Sequence, residues 1–297
     1  MEKIESFEDL VKYSESSGKR IYEICEQAEA QNFEISVQSV RERVKYNLDA
    51  MKNAINLGLE SREKSISGLC GEDCAKLKAH YEHGTTLFPK TYQKVLLYAL
   101  ATIEQNLRMG KIVACPTAGS CGIVPAVIIA LSGEINAPED AQINALLTAG
   151  VIGEIVSRKV ALAGAVAGCQ GECGVAAAMA AGALVELYGG SASQIVNAAA
   201  LTLKNIMGLV CDPVAGLVEV PCVKRNAFLA IYAVTGAELA MAGIKSVIPA
   251  DEIVDAMRQV GQLMSPQLKE SSEAGLATTK TGLEITERLS KQWGVAG

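Results

Sequence analysis

Cys169, Cys211 and Cys222 each sit in a short segment rich in glycine, proline and polar residues, inside a stretch that otherwise reads as alanine-rich helix. The segments are Ala167-Gly168-Cys169-Gln170-Gly171-Glu172-Cys173-Gly174, Leu209-Val210-Cys211-Asp212-Pro213-Val214 and Val220-Pro221-Cys222-Val223-Lys224-Arg225-Asn226. Three thiolates on irregular backbone suit a metal cluster with one open coordination position, which points to Lewis-acid chemistry on a small polar substrate. Pro213, Gly216 and Pro221 break any helix between Cys211 and Cys222, so this segment can fold back and aim both sulfurs at one point. Zinc would call for C-x2-C pairs or histidine partners. The nearest spacing here is C-x3-C and the two histidines, His80 and His83, lie elsewhere, so iron–sulfur ligation is the better metal reading.

Each of these residues has a plainer reading beside the chemical one. A free cysteine is often a small buried hydrophobe, and that role is preferred for Cys25 and Cys115. Cys173 follows Cys169 at helical spacing, as Cys74 follows Cys70, and either pair offers a fourth ligand. Arg225 and Lys224 suit a substrate carboxylate, the first bidentately and the second as a point charge, or they are simply solvated. Glu172 and Asp212 are acid–base groups or caps on backbone N–H groups. Residues 113–122 combine Pro116, two glycines and the hydroxyls of Thr117 and Ser120 ahead of an apolar helix. Backbone N–H groups at such a start seat an anion, although an ordinary loop has the same composition.

The elements that must hold these residues read as helices. A chain of 297 residues with only 4 % aromatics builds its core from small aliphatic side chains, which suits close-packed helices. An all-α fold is expected. Residues 1–65 are highly charged, with Phe7, Leu10, Val11 and Ile21, Ile24, Cys25, Ala28 at helical spacing and Ser6 as an N-cap. Residues 1–90 are therefore expected to form a helical arm packed on a main domain over 91–297, or to be continuous with it. Helices are expected from Tyr92 to Met109, from Ile123, from Val175 to Leu187, after Ser191 or Ser193, from Asn226 to Gly243 and over Ser246 to Gln259, with a threonine-rich loop from Gly275 to Gly282.

Charge and hydropathy exclude other classes. A net charge of -6 argues against nucleic-acid binding, for which basic residues gather on one face. The apolar runs Ile123 to Leu131 and Val175 to Leu187 are too short to cross about 30 Å of hydrocarbon, despite a mean hydropathy of +0.22. Nine cysteines, an odd number, behind a start without an apolar leader point to a reducing, cytoplasmic setting with free thiols.

Taken together, the segments resemble the alpha chain of bacterial iron–sulfur L-serine dehydratase of the two-subunit type, over nearly the whole chain. The resemblance lies in Ser67-Gly68-Leu69, Pro116-Thr117-Ala118-Gly119-Ser120 with Gly122-Ile123-Val124-Pro125, and Gly168-Cys169-Gln170-Gly171-Glu172. It continues in Cys211-Asp212-Pro213-Val214, Val220-Pro221-Cys222 with Arg225-Asn226, and Lys269-Glu270 with Gly275-Leu276-Ala277. It implies a 4Fe-4S cluster on Cys169, Cys211 and Cys222, with one iron free of protein sulfur. The implied reaction takes L-serine to pyruvate and ammonia, by elimination of water and hydrolysis of the enamine. Substrate binding would then fall to Thr117, Gly119, Ser120 and Arg225, with Gln170 orienting substrate or cluster, and the α-proton base is unassigned.

The chain departs from the family at several points. Single-chain members carry a further domain with a serine-rich segment ending in histidine, and nothing here corresponds to it, so a separate beta chain and a hetero-oligomer are expected. Cys173 stands where an apolar residue is usual, so a ligand swap with Cys169 is conceivable. Glu273-Ala274-Gly275 and Thr279-Lys280-Thr281 replace Gly-Gly and a Thr-Pro-Thr run. The end Val295-Ala296-Gly297 offers no cysteine to reach the cluster. Two other functions compete: a cysteine desulfidase-type lyase, which needs the same open iron, and a scaffold subunit whose cluster is closed by a fourth thiol. A pyridoxal-phosphate dehydratase is disfavoured, because Lys204-Asn205 lies in a helical stretch with no strand-rich pattern around it.

Overall fold

The structure is a computed structural model that describes residues 4–294. The expectations placed on Met1-Glu2-Lys3 and on Val295-Ala296-Gly297 lie outside the described residues. Within them the fold is all-α, with no strand and only two isolated bridges, Lys64 with Gly71 and Cys211 with Lys269. The N-terminal part holds α1 (Phe7–Ser17), α2 (Ile21–Asn32), α3 (Val37–Glu60) and α4 (Asp73–His83). The middle holds α5 (Lys90–Leu107), α6 (Ile123–Glu134), α7 (Glu139–Ser157), the single turn α8 (Gly164–Ala167), α9 (Val175–Leu187) and α10 (Ala192–Lys204). The chain then runs through α11 (Cys222–Met241), α12 (Ala250–Leu263) and α13 (Lys280–Trp293).

α9 is the axis of the molecule. Apart from Glu186, which Arg20 and Thr148 hold, it is apolar on every side, and a helix with so little polar face has to be enclosed. All of its residues from Val175 to Leu187 are buried, under α6, α7, α10 and α11. Alanine and glycine make that enclosure tight: a Cβ on Gly182 would stand 2.2 Å from Cδ1 of Ile152. A larger residue there would push α7 away from α9.

The charged N-terminal helices turn their apolar faces into this same core. Phe7, Leu10, Ile21 and Ile24 belong to one buried cluster with the residues of α9. α3 lies along α5 and α7, and α1 is tied to the start of α12 by the N–H groups of Phe7 and Glu8, both donated to Asp251 at 3.0 Å. Ser6 caps α1 by accepting from the Asp9 N–H, and Ser191, not Ser193, caps α10.

Several boundaries differ from the sequence expectation: α5 runs Lys90–Leu107 where Tyr92 to Met109 was expected, α12 runs Ala250–Leu263 where Ser246 to Gln259 was expected, and α11 and α13 also start elsewhere. α11 starts at Cys222, a full turn before Asn226, because its first turn carries Lys224, Arg225 and Asn226, and these polar residues hide the apolar period. The threonine-rich loop gives way at Thr279, whose hydroxyl accepts from the Gly282 N–H and starts α13 at Lys280.

Candidate metal centre and substrate loop

The ends of α9, α11 and the 206–219 and 265–279 segments meet at one place. Before α9 the chain makes a π-helical turn over Gln170–Gly174, a wider turn than the α-helix allows and one frequent at functional sites. It brings ligand atoms of Cys169, Glu172 and Cys173 within 4.8 Å of one another. Cys211 is anchored from the far end of the sequence: its N–H donates to the Leu268 carbonyl at 2.8 Å, and its carbonyl accepts from Glu270 at 2.7 Å. Cys222 is the first residue of α11.

Gly164 marks the centre of the arrangement. A Cβ there would lie 2.9 Å from Cys211 Sγ, 3.1 Å from Oε2 of Glu172 and 3.3 Å from Oε2 of Glu270. A thiol and two carboxylates thus face a spot kept clear by a missing methyl group. All nine cysteines are buried and none forms a disulfide.

The thiols act on one another. Cys169 is pulled below its ordinary value by the hydrogen bond from Cys173, and by Arg225, against the opposing effect of burial. Cys211 is pushed up to about 12 by burial and by the charges of Cys169, Glu270 and Glu172. Cys222 is pushed up by burial and by Cys169 and Cys211. The charge of Cys169 therefore reaches both Cys211 and Cys222, and that of Cys211 reaches Cys222. Arg225 is the compensating cation. It donates to the Val210 carbonyl at 2.9 Å and to Asp212 at 3.0 Å, and hydrogen-bonds Cys169.

The Thr117–Ser120 loop closes one side. Thr117 donates its hydroxyl to Oε1 of Glu172, and Gly119 packs so closely that a Cβ would sit 2.5 Å from that oxygen. Glu172 is pushed above the ordinary carboxyl range by burial and by Glu270, with the Thr117 bond opposing. Ser120 is fully buried, its hydroxyl committed to the Cys115 carbonyl at 3.1 Å. Gln170 is also fully buried, and both of its polar ends meet backbone: it accepts from the Gly208 N–H at 2.9 Å and donates to the Met257 carbonyl at 3.1 Å. It braces the π-turn against α12.

Several residues outside the predicted set prove central. Asn226, wholly buried, donates to the carbonyls of Gly119 and Cys222 and accepts from the Gly122 N–H, tying loop to helix. Its signal was a polar residue on the Cys222 face of an apolar helix. Gly164 had no such signal, and Glu270 stood out only as part of the Lys269-Glu270 family segment, since their role depends on segments far apart in sequence. Ser65 bonds Glu219 at 2.6 Å, and Lys224 pairs with Asp73 at 2.7 Å, so residues 65–73 form a wall next to Cys222. Asp212 also accepts from the Leu276 N–H at 2.8 Å, and Gly275, at φ +64, allows that approach because a Cβ would strike Asp212 at 2.5 Å. Cys70 and Cys74 are spent elsewhere, against the carbonyls of Glu219 and Leu97. His80 and His83 lie exposed on α4.

The donor set fits an iron–sulfur group: three buried sulfurs on irregular backbone, a guanidinium offsetting their charge, and a glycine cradle open beside Cys211. Fold and site define an all-helical protein with a buried thiol-and-carboxylate centre. The chain belongs to the serine dehydratase alpha chain family, whose model matches residues 16–277. It is 42 % identical over 281 residues to the probable L-serine dehydratase alpha chain of Bacillus subtilis, covering 95 % of this chain and 93 % of that one. It is 38 % identical over 291 residues to the L-serine dehydratase alpha chain of Peptoniphilus asaccharolyticus, covering 96 % and 97 %. The L-serine dehydratase of Streptomyces coelicolor is 43 % identical over 185 residues, which are 62 % of this chain but 41 % of that protein. No helix among the described residues is long and apolar enough to cross a membrane.

Proposed function

We propose that this chain is the alpha subunit of an L-serine dehydratase that converts L-serine to pyruvate and ammonia, with a 4Fe-4S cluster held by Cys169, Cys211 and Cys222. One observation carries the reading: Cys211 Sγ and the carboxylates of Glu172 and Glu270 converge on the spot beside Gly164, next to the Cys169 and Cys222 thiols. When bound, the iron that lacks a protein sulfur supplies a Lewis acid for the departing hydroxyl.

The chain's own residues supply the rest of the site. Arg225 offsets thiolate charge while held by Val210 and Asp212, which leaves the backbone N–H groups of the Thr117–Ser120 loop as the donors for a substrate carboxylate. Thr117 fixes the orientation of Glu172, and Asn226 fixes the loop on α11. Glu172, with its raised proton affinity, is placed to hold or release a proton at its Oε2 atom, the one facing Gly164. The position of Gln170 fits orientation of the cluster turn. A beta chain completes the site, in keeping with the alpha-chain names of the relatives and with the greater length of the Streptomyces protein. Unpaired thiols throughout fit a reducing cytoplasm.

The test is anaerobic reconstitution with iron and sulfide, with and without the beta chain, followed by pyruvate detection from L-serine and from L-cysteine. Pyruvate from serine with the beta chain present is expected. Turnover of cysteine alone would replace this reading with the desulfidase one, and a bound cluster whose EPR signal ignores serine would point to a scaffold.

A further inference from the structure

A second cavity, of about 640 Å³, opens between α2, α3 and α7, apart from the thiol centre. Its volume lies in the usual range for small-molecule sites, which pair an apolar lining with a few polar groups. The floor is apolar and soft: Cys25, Met51, Leu147 and Met179. Glu29 and Glu154 also line the cavity, with Arg43 and Asn47 of α3. Glu154 is held by Arg158 at 2.7 Å, Glu29 is pushed above the ordinary carboxyl range by burial and then by Glu154, and neither Glu29 nor Arg43 makes an ion pair among the described residues.

Gly150 lines the cavity from the interior of α7, and a Cβ added there would meet nothing within 4 Å. Alanine would favour the helix by about 1 kcal/mol at such a position. Close packing does not explain the glycine. It does enlarge the cavity.

The walls continue into the thiol centre. Val113, Ala114 and Cys115 lead directly into the Thr117–Ser120 loop, to which Cys115 is bonded twice: its carbonyl accepts from Ser120 at 3.1 Å and its N–H donates to Thr117 at 3.2 Å. Met179 lies on α9, just past the π-turn that carries Cys169 and Glu172.

We propose that this cavity is a regulatory site for an aliphatic α-amino acid. The ammonium group meets Glu29, the carboxylate meets Arg43, and the side chain covers the apolar floor. A simple amine would leave Arg43 unanswered, and a fatty acid would leave Glu29 unanswered. Occupancy reaches the Thr117–Ser120 loop through residues 113–115. Only this coupling rests on the proposed dehydratase activity; the binding itself does not.

Calorimetric titration of the full chain with L-leucine and L-isoleucine tests the site without any turnover. Saturable binding is expected, weakened about tenfold or more for 3-methylbutylamine and for 4-methylpentanoate, each of which lacks one charged end. Gly150→Leu fills the space and should abolish binding with the melting temperature retained. If that variant fails to fold, Glu29→Gln and Arg43→Gln should each weaken binding about tenfold. No saturable binding of either amino acid, or binding equal for the truncated analogues, overturns the site. In the reconstituted enzyme, leucine should shift the half-saturating serine concentration, and serine should shift leucine affinity by the same factor. Binding without any mutual shift overturns the regulation. Failure of the dehydratase reading shows separately, as absence of pyruvate.

Discussion

Asn226 donates its amide to the Gly119 carbonyl at 2.8 Å while the same side chain accepts from the Gly122 N–H at 2.9 Å. One buried amide on α11 thereby fixes both ends of the turn that faces Glu172. Asn226→Ala leaves several buried polar groups without partners, each worth about 1–3 kcal/mol. We expect a loss of about 2–4 kcal/mol in denaturant unfolding, with serine KM rising more than kcat falls. Unchanged stability and KM would remove the strap assignment.

Replacing Cys169, Cys211 or Cys222 singly by serine should abolish stable iron and sulfide incorporation after anaerobic reconstitution. Cys25→Ala and Cys115→Ala should retain both, as cavities in a core. Cys173→Ala should also retain iron, with an altered EPR signal, because it removes the hydrogen bond to Cys169. Full iron content in Cys222→Ser would contradict the ligand set.

Arg225 serves Val210, Asp212 and Cys169 together, from a side chain that is largely buried. Lysine has no fork to reach all three. Arg225→Lys should lower iron retention, and Arg225→Gln should cost about 3–5 kcal/mol by leaving Asp212 buried and unpaired. Equilibrium unfolding and iron analysis read the two effects separately.

Glu186, 6 % exposed, is raised above its ordinary 4.5 by burial, with Arg20 and Thr148 opposing. A carboxyl with a raised folded value contributes stability that is complete below pH 4.5 and is lost as pH climbs through the folded value. Glu186→Gln should therefore flatten the fall of melting temperature over that interval. A wild-type profile identical to that of the variant would dismiss this contribution.

The sequence disclosed those parts of the molecule that local pattern encodes. The apolar run from Val175 to Leu187 is α9 residue for residue, Ser6 caps where its spacing to the next helix indicated, and of the two serines open for α10 it is Ser191 that caps. The Gly168–Gly174 interruption was visible as a break in an alanine-rich helix, although its π geometry was not. Helix starts masked by polar first turns, such as Cys222, were set too late. At the centre, the three thiols stood out by their breaker-rich surroundings. The meeting of Glu172 with Glu270, the strap made by Asn226 and the gap at Gly164 were hidden, because each depends on how distant segments dock. The commitment of Gln170 to two backbone groups was likewise invisible until α12 was in place.

The bridge between Cys211 and Lys269 has a temporal meaning. A ribosome releases residue 211 well before residues 268–270, so the peptide groups on either side of this cysteine wait for partners that emerge near the end of synthesis. The pocket is thus among the last features to be finished. A nascent fragment stopped before 268 would leave the backbone N–H and carbonyl of Cys211 without these two partners, and its thiol without the segment of chain that holds it in place.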